Sequence, residues 1–398
     1  MIVIKDSECS RESPLTHGHP DTPVYGSGHR IKPLHPGKCE SEYEKKMYLP
    51  ELLPLEEYDL IIILFSAGKD SAAAFYKMLE LGVPKSKIEI WHHDIDGGHP
   101  SRQMDWPVTQ SYIRAFAAAE VVRLRTSWRV NGFYGELFRV GASQPVMYED
   151  DGEVKTCRLS QAQIESETLR QDNGLSGTPM CELMLKSYGH RMMFPAKSGD
   201  LSRRWCSAYL KISVADSVIY NLEKTQSVAK VLIVSGERRG ESAGRARYNE
   251  MELHRKNAPA KARRLVHQWR AVIDYSLCDV WEVCRRHNLT PHPCYTCGWN
   301  RCSCACCIFS LPTHWAGIRE LFPDRYAKLQ ADERLLGFTL DNNKTLDEFV
   351  GNAESCVCRD NPRAIEQLVT GGFHQTEIYT PNWQFPAGAF KGSAGGPC

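Results

Sequence analysis

The amino-acid sequence predicts an α/β protein with a doubly wound, mostly parallel sheet. Three observations carry that prediction. Asp59-Leu60-Ile61-Ile62-Ile63-Leu64-Phe65 is an apolar, largely β-branched run of the kind buried on both faces of a parallel sheet. Strand-like runs and helical stretches then alternate along the chain, as consecutive βα units do. Lys230–Ser235 (KVLIVS) repeats the opening pattern, a strand running straight into a polar loop.

The elements follow in order. Residues 1–57 are rich in Pro, His, Gly and charge and keep no period, which predicts an extended arm. Its histidines His17, His19, His29 and His35 read as part of a polar loop rather than as metal ligands. After the 59–65 strand, AAAFYKMLELG predicts a helix over 72–82, closed by Gly82 and Pro84. Ile88–His92 reads as a second strand, Val108–Ala119 as a helix and Val121–Arg125 as a third strand. Lys230–Ser235 is a further strand, and Trp269–Ile273 a shorter one. Residues 58–290 thus form the α/β domain, with an insertion over about 127–200 that is too long for a simple connection. Residues 291–398 form a cysteine-rich and helical C-terminal region with a Gly/Pro-rich tail.

Composition narrows the function. A chain of 398 residues can form one large α/β domain with appendages. No run of about 18 apolar residues predicts a membrane span, and the N-terminus lacks the apolar centre of a secretory signal. A cytoplasmic protein is therefore expected. Of 16 cysteines, Cys294, Cys297, Cys302, Cys304, Cys306 and Cys307 crowd into one short stretch, which argues for metal binding over a disulfide framework. The net charge of +1 gives no global attraction to nucleic acid. The segment 238–270 is locally basic and suits phosphates or a polyanion, although a solvated, counter-charged surface explains it equally.

Ser66-Ala67-Gly68-Lys69-Asp70-Ser71 lies between a buried strand and a helix start. Gly68 permits close backbone approach and a positive φ. The first-turn amides point outward, where an anion can accept them. Ser66 and Ser71 add hydroxyls and Lys69 a charge, while Asp70 suits a helix cap or a Mg2+ bridging to phosphates. The spacing is not that of a Walker A loop. At the end of the second strand, Asp94 in HHDIDGG can reach a ribose, an adenine edge or a metal, or can simply shape an Asp-Gly turn.

The S-x-G-x-D-S turn matches the loop of PP-loop ATP pyrophosphatases and their sulfonucleotide-reducing relatives. Arg203-Arg204-Trp205-Cys206-Ser207-Ala208-Tyr209-Leu210-Lys211 resembles the R-x-C-[ST]-x-x-L-K segment of the PAPS-reductase family. The run Ser235-Gly236-Glu237-Arg238-Arg239-Gly240-Glu241-Ser242-Ala243-Gly244-Arg245 is similar to that family's G-x-R-x-x-[ED]-S-x-x-R. Ser303-Cys304-Ala305-Cys306-Cys307-Ile308-Phe309 resembles the S-C-x-x-C-[IL] element of the branch containing the DNA-phosphorothioation sulfurtransferase subunit. The four islands keep the family's order across residues 60–310.

The resemblance implies an adenine nucleotide alpha-hydrolase-like fold and an ATP or PAPS site. That site would take the turn from Ser66 through Ala67, Gly68, Lys69 and Asp70 to Ser71, together with Gly236, Arg238, Glu241, Ser242 and Arg245. Lys69, Asp70, Arg238 and Arg245 would act in the chemistry. Arg238 and Arg245 suit bidentate grip on phosphate or sulfate oxygens, with surface ion pairing the competing explanation. Glu241 would orient Arg238 or a sugar hydroxyl. Lys211 is either part of the site or a solvated helix lysine.

Cys304-x-x-Cys307 has the spacing of two ligands on one tight turn, and Cys297 precedes it by seven residues. The resemblance adds Cys206 from elsewhere in the fold. Cys206, Cys297, Cys304 and Cys307 are therefore the expected ligands, with Cys294, Cys302 and Cys306 as rivals for the fourth place. By analogy with relatives the metal is an iron–sulfur cluster, [4Fe–4S], with zinc as the alternative. The implied activity is adenylylation by ATP followed by sulfur transfer, with the sulfur arriving as a persulfide from a cysteine desulfurase or other donor. Nucleic acid is a candidate acceptor. PAPS or APS reduction is the alternative, but Phe390–Cys398 lacks the family's terminal E-C-G-[LI]-H segment. A non-catalytic subunit that senses nucleotide or redox state is the third possibility.

Overall fold

The computed structural model describes residues 52–98, 103–172, 174–225 and 229–391. Most of the expected N-terminal arm with its four histidines, and the terminal residues 392–398 with Cys398, lie outside the described residues.

Eight strands form one mixed sheet: β1 (Leu60–Leu64), β2 (Ile88–Asp94), β3 (Arg123–Arg129), β4 (Val146–Asp150), β5 (Glu153–Thr156), β6 (Ala229–Val234), β7 (Met251–Leu253) and β8 (Arg264–Trp269). Their order is β5-β4-β3-β2-β1-β6-β8-β7. The five strands from β3 to β8 are parallel, while β4, β5 and β7 add antiparallel edges.

Alternation along β1 splits its side chains between two cores. Ile61 and Ile63 face a layer containing Phe75, Phe116 and Trp281, whereas Leu60 and Ile62 pack with Val214, Val218 and Val266. Helices α1 (Lys69–Glu80) and α2 (Thr109–Glu120) contribute to the first layer. After the short α3 (Gly132–Leu137), α4 (Gln161–Gln171) and α5 (Pro179–Ser187) pack on each other in the insertion. Helix α6 runs from Trp205–Ser207 through a π turn over Ala208–Ile212 to Ser213–Asn221; Trp205 and Leu210 join the first core, while Val214, Val218 and Ile219 cover the second face. Next come α7 (Leu277–Arg286), α8 (Pro293–Thr296), α9 (Pro312–Leu321) and α10 (Pro323–Leu336). The first core is continuous from Tyr58 through Cys294, Trp315 and Leu368, so the cysteine-rich stretch packs on the same apolar layer as α1 and α2.

Two expected strands shift. Val121 takes a left-handed φ of 53° as the cap of α2, so β3 starts at Arg123 and continues to Arg129. The strand expected over Trp269–Ile273 instead ends at Trp269, because Ile273 N donates to Arg270 O and Tyr275 N to Val272 O, which turns the chain. The helix expected from residue 72 already begins at Lys69. Within the 127–200 excursion, β4 and β5 form a hairpin around Asp151 and Gly152, both at positive φ (50° and 83°), as a tight two-residue turn requires.

A buried ion network joins β2, β3 and β4. Arg125 is 1% exposed; its Nε donates to Glu89 Oε2 at 3.3 Å and its Nη1 to Asp150 Oδ1 at 2.8 Å. Burying one partner without the other leaves an uncompensated charge. Arg125→Ala is expected to lower the unfolding free energy by about 3–5 kcal/mol, read from urea unfolding. An unchanged midpoint would show that the network contributes nothing net.

Candidate functional site

The sheet order reverses beside β1: β2 and β3 lie on one side, β6 and β8 on the other. Loops leaving two such neighbouring strands diverge and open a crevice at their carboxyl ends. The turns after β1 and β6 carry the sequence-predicted residues, and the structure brings these two turns into contact.

In the first turn, Ala67 and not Gly68 takes the left-handed conformation, at φ 62°. Gly68 sits at φ −82°, ψ 154° as the residue preceding α1. The positive φ expected at Gly68 is therefore one residue early, and a side chain bears the conformational cost. A Cβ on Gly68 would meet Ser66 Oγ at 3.4 Å, Tyr295 OH at 3.5 Å and Cys302 Cβ at 3.6 Å, all ordinary contacts. Ser71 Oγ ties the turn by donating to Gly68 O and accepting from Ser66 N. Lys69 N donates to Tyr295 OH at 3.2 Å, while the amides of Ala67, Gly68 and Asp70 find no acceptor among the described residues.

The two turns lock through Gly236. A Cβ there would lie 2.7 Å from Asp70 C and O and 2.9 Å from Ser71 N, so only glycine fits against this backbone. Asp70 then bridges two cations: Lys69 Nζ at 2.8 Å and Arg238 Nε at 2.5 Å. Burial alone would raise the Asp70 carboxyl, but Lys69 and Arg238 outweigh it and hold it down at about 2. The Lys69 ammonium also lies 5.9 Å from the Trp281 ring centre and 5.6 Å from that of Tyr295. Glu241 accepts from Arg238 N at 2.8 Å and pairs with Arg245 Nη1. Ser242 Oγ accepts from Arg245 N, which sets the turn that carries Arg245.

Beside these turns lie two cavities with shared walls, of about 420 and 380 Å³. Ser66, His93, Tyr248 and the apolar Leu64, Phe65, Ile212 and Ile233 line the larger. Arg204, Arg245, Arg301 and the thiols of Cys206, Cys304, Cys306 and Cys307 line the smaller, with Lys211, Glu237 and Tyr248 common to both. Of the expected cationic residues, Arg245 faces this space directly, while Lys69 and Arg238 stand behind it on Asp70. Asp94 has another role. Its oxygens accept from Asp96 N and Gly98 N, so it shapes the loop after β2.

Cys206, Cys304 and Cys307 line one cavity, but their sulfurs do not close into a tight donor group: the three ligand atoms within 4.8 Å of one another among the described residues are instead those of His292, Cys294 and Cys302. Burial raises the Cys206 thiol to about 11, with Cys307 adding to the rise; burial also raises Cys304, with Cys307 and Cys206 adding and Lys211 opposing. Lys211 Nζ is 3.8 Å from Cys304 Sγ, so it lies beside the thiols. Crowded thiols that disfavour one another's ionisation are a donor set that a soft cation relieves, and an all-sulfur set suits iron–sulfur or zinc.

Cys297 does not join them. Its carbonyl accepts from Cys358 N at 2.9 Å, and burial, with Cys358 adding, raises its thiol to about 12. Gly298, at φ 107°, turns the chain there, with Cys356 O only 2.0 Å from where a Cβ would stand. Spacing along the chain brought Cys297 close to Cys304 in sequence, but that turn directs it toward the 356–358 strap. Cys306, one of the rivals, shares the smaller cavity with the three thiols.

The basic 238–270 segment is largely neutralised. Arg239 pairs with Asp274, Arg255 with Asp216 and Arg270 with Glu252, while Arg264 donates to main-chain carbonyls. Arg247 and Arg263 are exposed. Conversely, Arg204, Arg301 and Tyr248 were not anticipated as wall residues. Arg204 is the arginine of the R-x-C-[ST]-x-x-L-K match, a signal left unused, whereas Arg301 and Tyr248 lie only beside quoted motifs.

Gly236→Ala is expected to cost about 1–3 kcal/mol through overpacking, because the opposing atoms are backbone and cannot rotate away. The shift separates β6 from α1, and urea unfolding reads it; an unchanged midpoint would mean that the two turns do not act as one unit.

No protein-family model matches the chain. It is 25% identical over 285 residues to a protein of Escherichia phage 186 described as "Uncharacterized 37.8 kDa protein in gpa 5'region", an overlap covering 70% of this chain and 76% of that protein. The description of that relative assigns it no activity.

Proposed function

We propose that the chain is a PP-loop ATP pyrophosphatase of the PAPS-reductase type, with an adenine nucleotide alpha-hydrolase-like fold and a sulfur-transfer activity. The observation that carries this reading is the meeting, at the carboxyl edge of β1 and β6, of a turn whose amides find no acceptor among the described residues, an arginine-bearing loop and a thiol-lined cavity.

A cavity of about 420 Å³ suits adenosine, and the apolar wall from Leu64, Phe65 and Ile233 suits a flat base. His93 is held neutral, at about 3, by burial first and then by His92 and Lys211. Its Nε2 finds no partner among the described residues, so it suits a polar edge of the base. The polyphosphate would take the amides of Ala67, Gly68 and Asp70. Arg245 would leave Glu241 in part to hold an α- or β-phosphate oxygen, where a planar fork gives two bonds.

In the reaction an acceptor oxygen attacks the α-phosphorus. The new P–O bond forms as the α,β-bridging bond breaks, pyrophosphate leaves, and the acceptor proton passes to a carboxylate at the wall, where Glu237 stands. Rate acceleration comes from alignment and from neutralising the leaving pyrophosphate. A persulfide sulfur from a donor protein then attacks the activated centre and AMP departs. A second thiol removes the carrier sulfur as a disulfide, which balances the electrons. Cys206, Cys304 and Cys307, drawn closer together than they stand, would hold an iron–sulfur cluster or zinc, which would supply the sulfur-handling chemistry. Mg2+ would accompany the polyphosphate, with Asp70 less suited as its ligand because two cations already hold it. The ion pairing across 238–270 leaves Arg247 and Arg263 among the exposed cations of the described residues for a nucleic-acid acceptor, a modest electrostatic footprint.

Release of pyrophosphate from ATP tests the reading. Arg245→Ala is expected to lower that rate by about 10²-fold or more, and Arg245→Lys to recover only part of it. Sulfite formed from PAPS, with no pyrophosphate from ATP, would replace this reading with reduction. Cys307→Ser, purified without oxygen, should lose bound iron while keeping ATP affinity; full iron retention would remove Cys307 from the ligand set.

A further inference from the structure

A second group of soft donors lies behind the β1–α1 turn, away from the two cavities. His292 precedes α8, Cys294 follows two residues later, and the chain returns through Gly298 to place Cys302 against both. The imidazole nitrogen and the two Sγ atoms all lie within 4.8 Å of one another. All three residues are buried, at 0%, 0% and 3% exposure. From this geometry we infer that His292, Cys294 and Cys302 bind one zinc ion, separate from the metal held by Cys206, Cys304 and Cys307.

Zinc bonds of about 2.3 Å to sulfur and 2.0 Å to nitrogen place tetrahedral donors roughly 3.4–3.8 Å apart, a small contraction of the group as it stands. Charge favours the same ion. Two thiolates and a divalent cation sum to zero, so the site can stay buried without an unpaired charge. Nδ1 accepts from Cys294 N at 3.3 Å and Nε2 lies 3.4 Å from Thr109 Oγ1, both longer than ordinary hydrogen bonds. Ligation through Nδ1 suits the histidine, because Nε2–H can then donate to Thr109 Oγ1, as the second nitrogen of a ligating imidazole generally does. No fourth Cys, His, Asp or Glu joins the group among the described residues, so a small exogenous ligand completes the tetrahedron.

The position gives the ion a structural consequence. Cys302 Sγ lies 3.9 Å from Ser66 O, and Trp106 Nε1 donates to Cys302 O at 3.0 Å. A zinc bound here would staple the 292–302 segment to the rear of the turn that carries Ser66–Ser71. The group also explains the histidine and two cysteines that the other cluster does not use.

The test is metal content of the full chain purified without oxygen, with no nucleotide needed for the readout. One zinc per chain is expected beside the iron. His292→Ala and Cys294→Ser should each lose the zinc and keep the iron, Cys307→Ser should do the reverse, and His292→Cys should retain zinc as a three-thiolate site. Wild-type chain without zinc, or zinc unchanged in His292→Ala, overturns the inference. Iron lost in His292→Ala while zinc is absent assigns these residues to the cluster and likewise overturns it. Should the variants not fold, wild-type chain stripped by chelator and titrated with cobalt(II) decides. Thiolate-to-cobalt charge-transfer absorbance saturating at one added equivalent is expected, and its absence overturns the site.

Discussion

The contact of Gly236 with the backbone of Asp70 and Ser71 is the constraint on which the site depends. It holds the end of β6 against the first turn of α1, so two loops more than 160 residues apart in sequence become one surface. Parallel pairing of β1 with both β2 and β6 sets the strand ends at one level, and the reversal of order beside β1 leaves room above them. A sheet without that reversal would bury the same loops under a continuing layer of helices.

Electrostatics reinforce the backbone contact. Asp70 gathers Lys69 and Arg238 at its two oxygens, so the deepest charges of the site are paired before any ligand arrives. Removing one member would strand the others in a poorly solvated place. Arg245 and Lys211 differ, because they reach the cavity walls and, among the described residues, pair with Glu241 and a thiol respectively. The inner ring thus supports the turn and the outer ring faces the cavities. The same division separates the thiols: Cys206, Cys304 and Cys307 open to the smaller cavity, whereas Cys294 and Cys302 are sealed behind Ser66 and Trp106.

Much of this arrangement is legible in the sequence. The apolar run at 60–64 and its echo at 229–234 announce the central strands, because full burial demands continuous branched side chains. Gly236 and Glu241 were identifiable from their motif, although only the fold reveals what each touches. Three-dimensional detail was hidden where backbone conformation decides. The left-handed residue is Ala67 and not its neighbour glycine, Val121 delays β3, and Gly298 diverts Cys297 from its sequence neighbours. Asp94 faces main-chain amides, a fate that composition cannot distinguish from ligand binding. The antiparallel edges were also unforeseen, since β4 and β5 depend on a hairpin turn inside what reads as an insertion.

The central claim is that the β1–α1 turn receives a polyphosphate. Calorimetric titration of the folded chain with ATP and with AMP tests it most directly. Because the recognition lies in the phosphate tail, ATP should bind at least about tenfold more tightly than AMP, a difference of about 1.4 kcal/mol. Equal affinity for the two nucleotides, or no heat from either, would contradict the account.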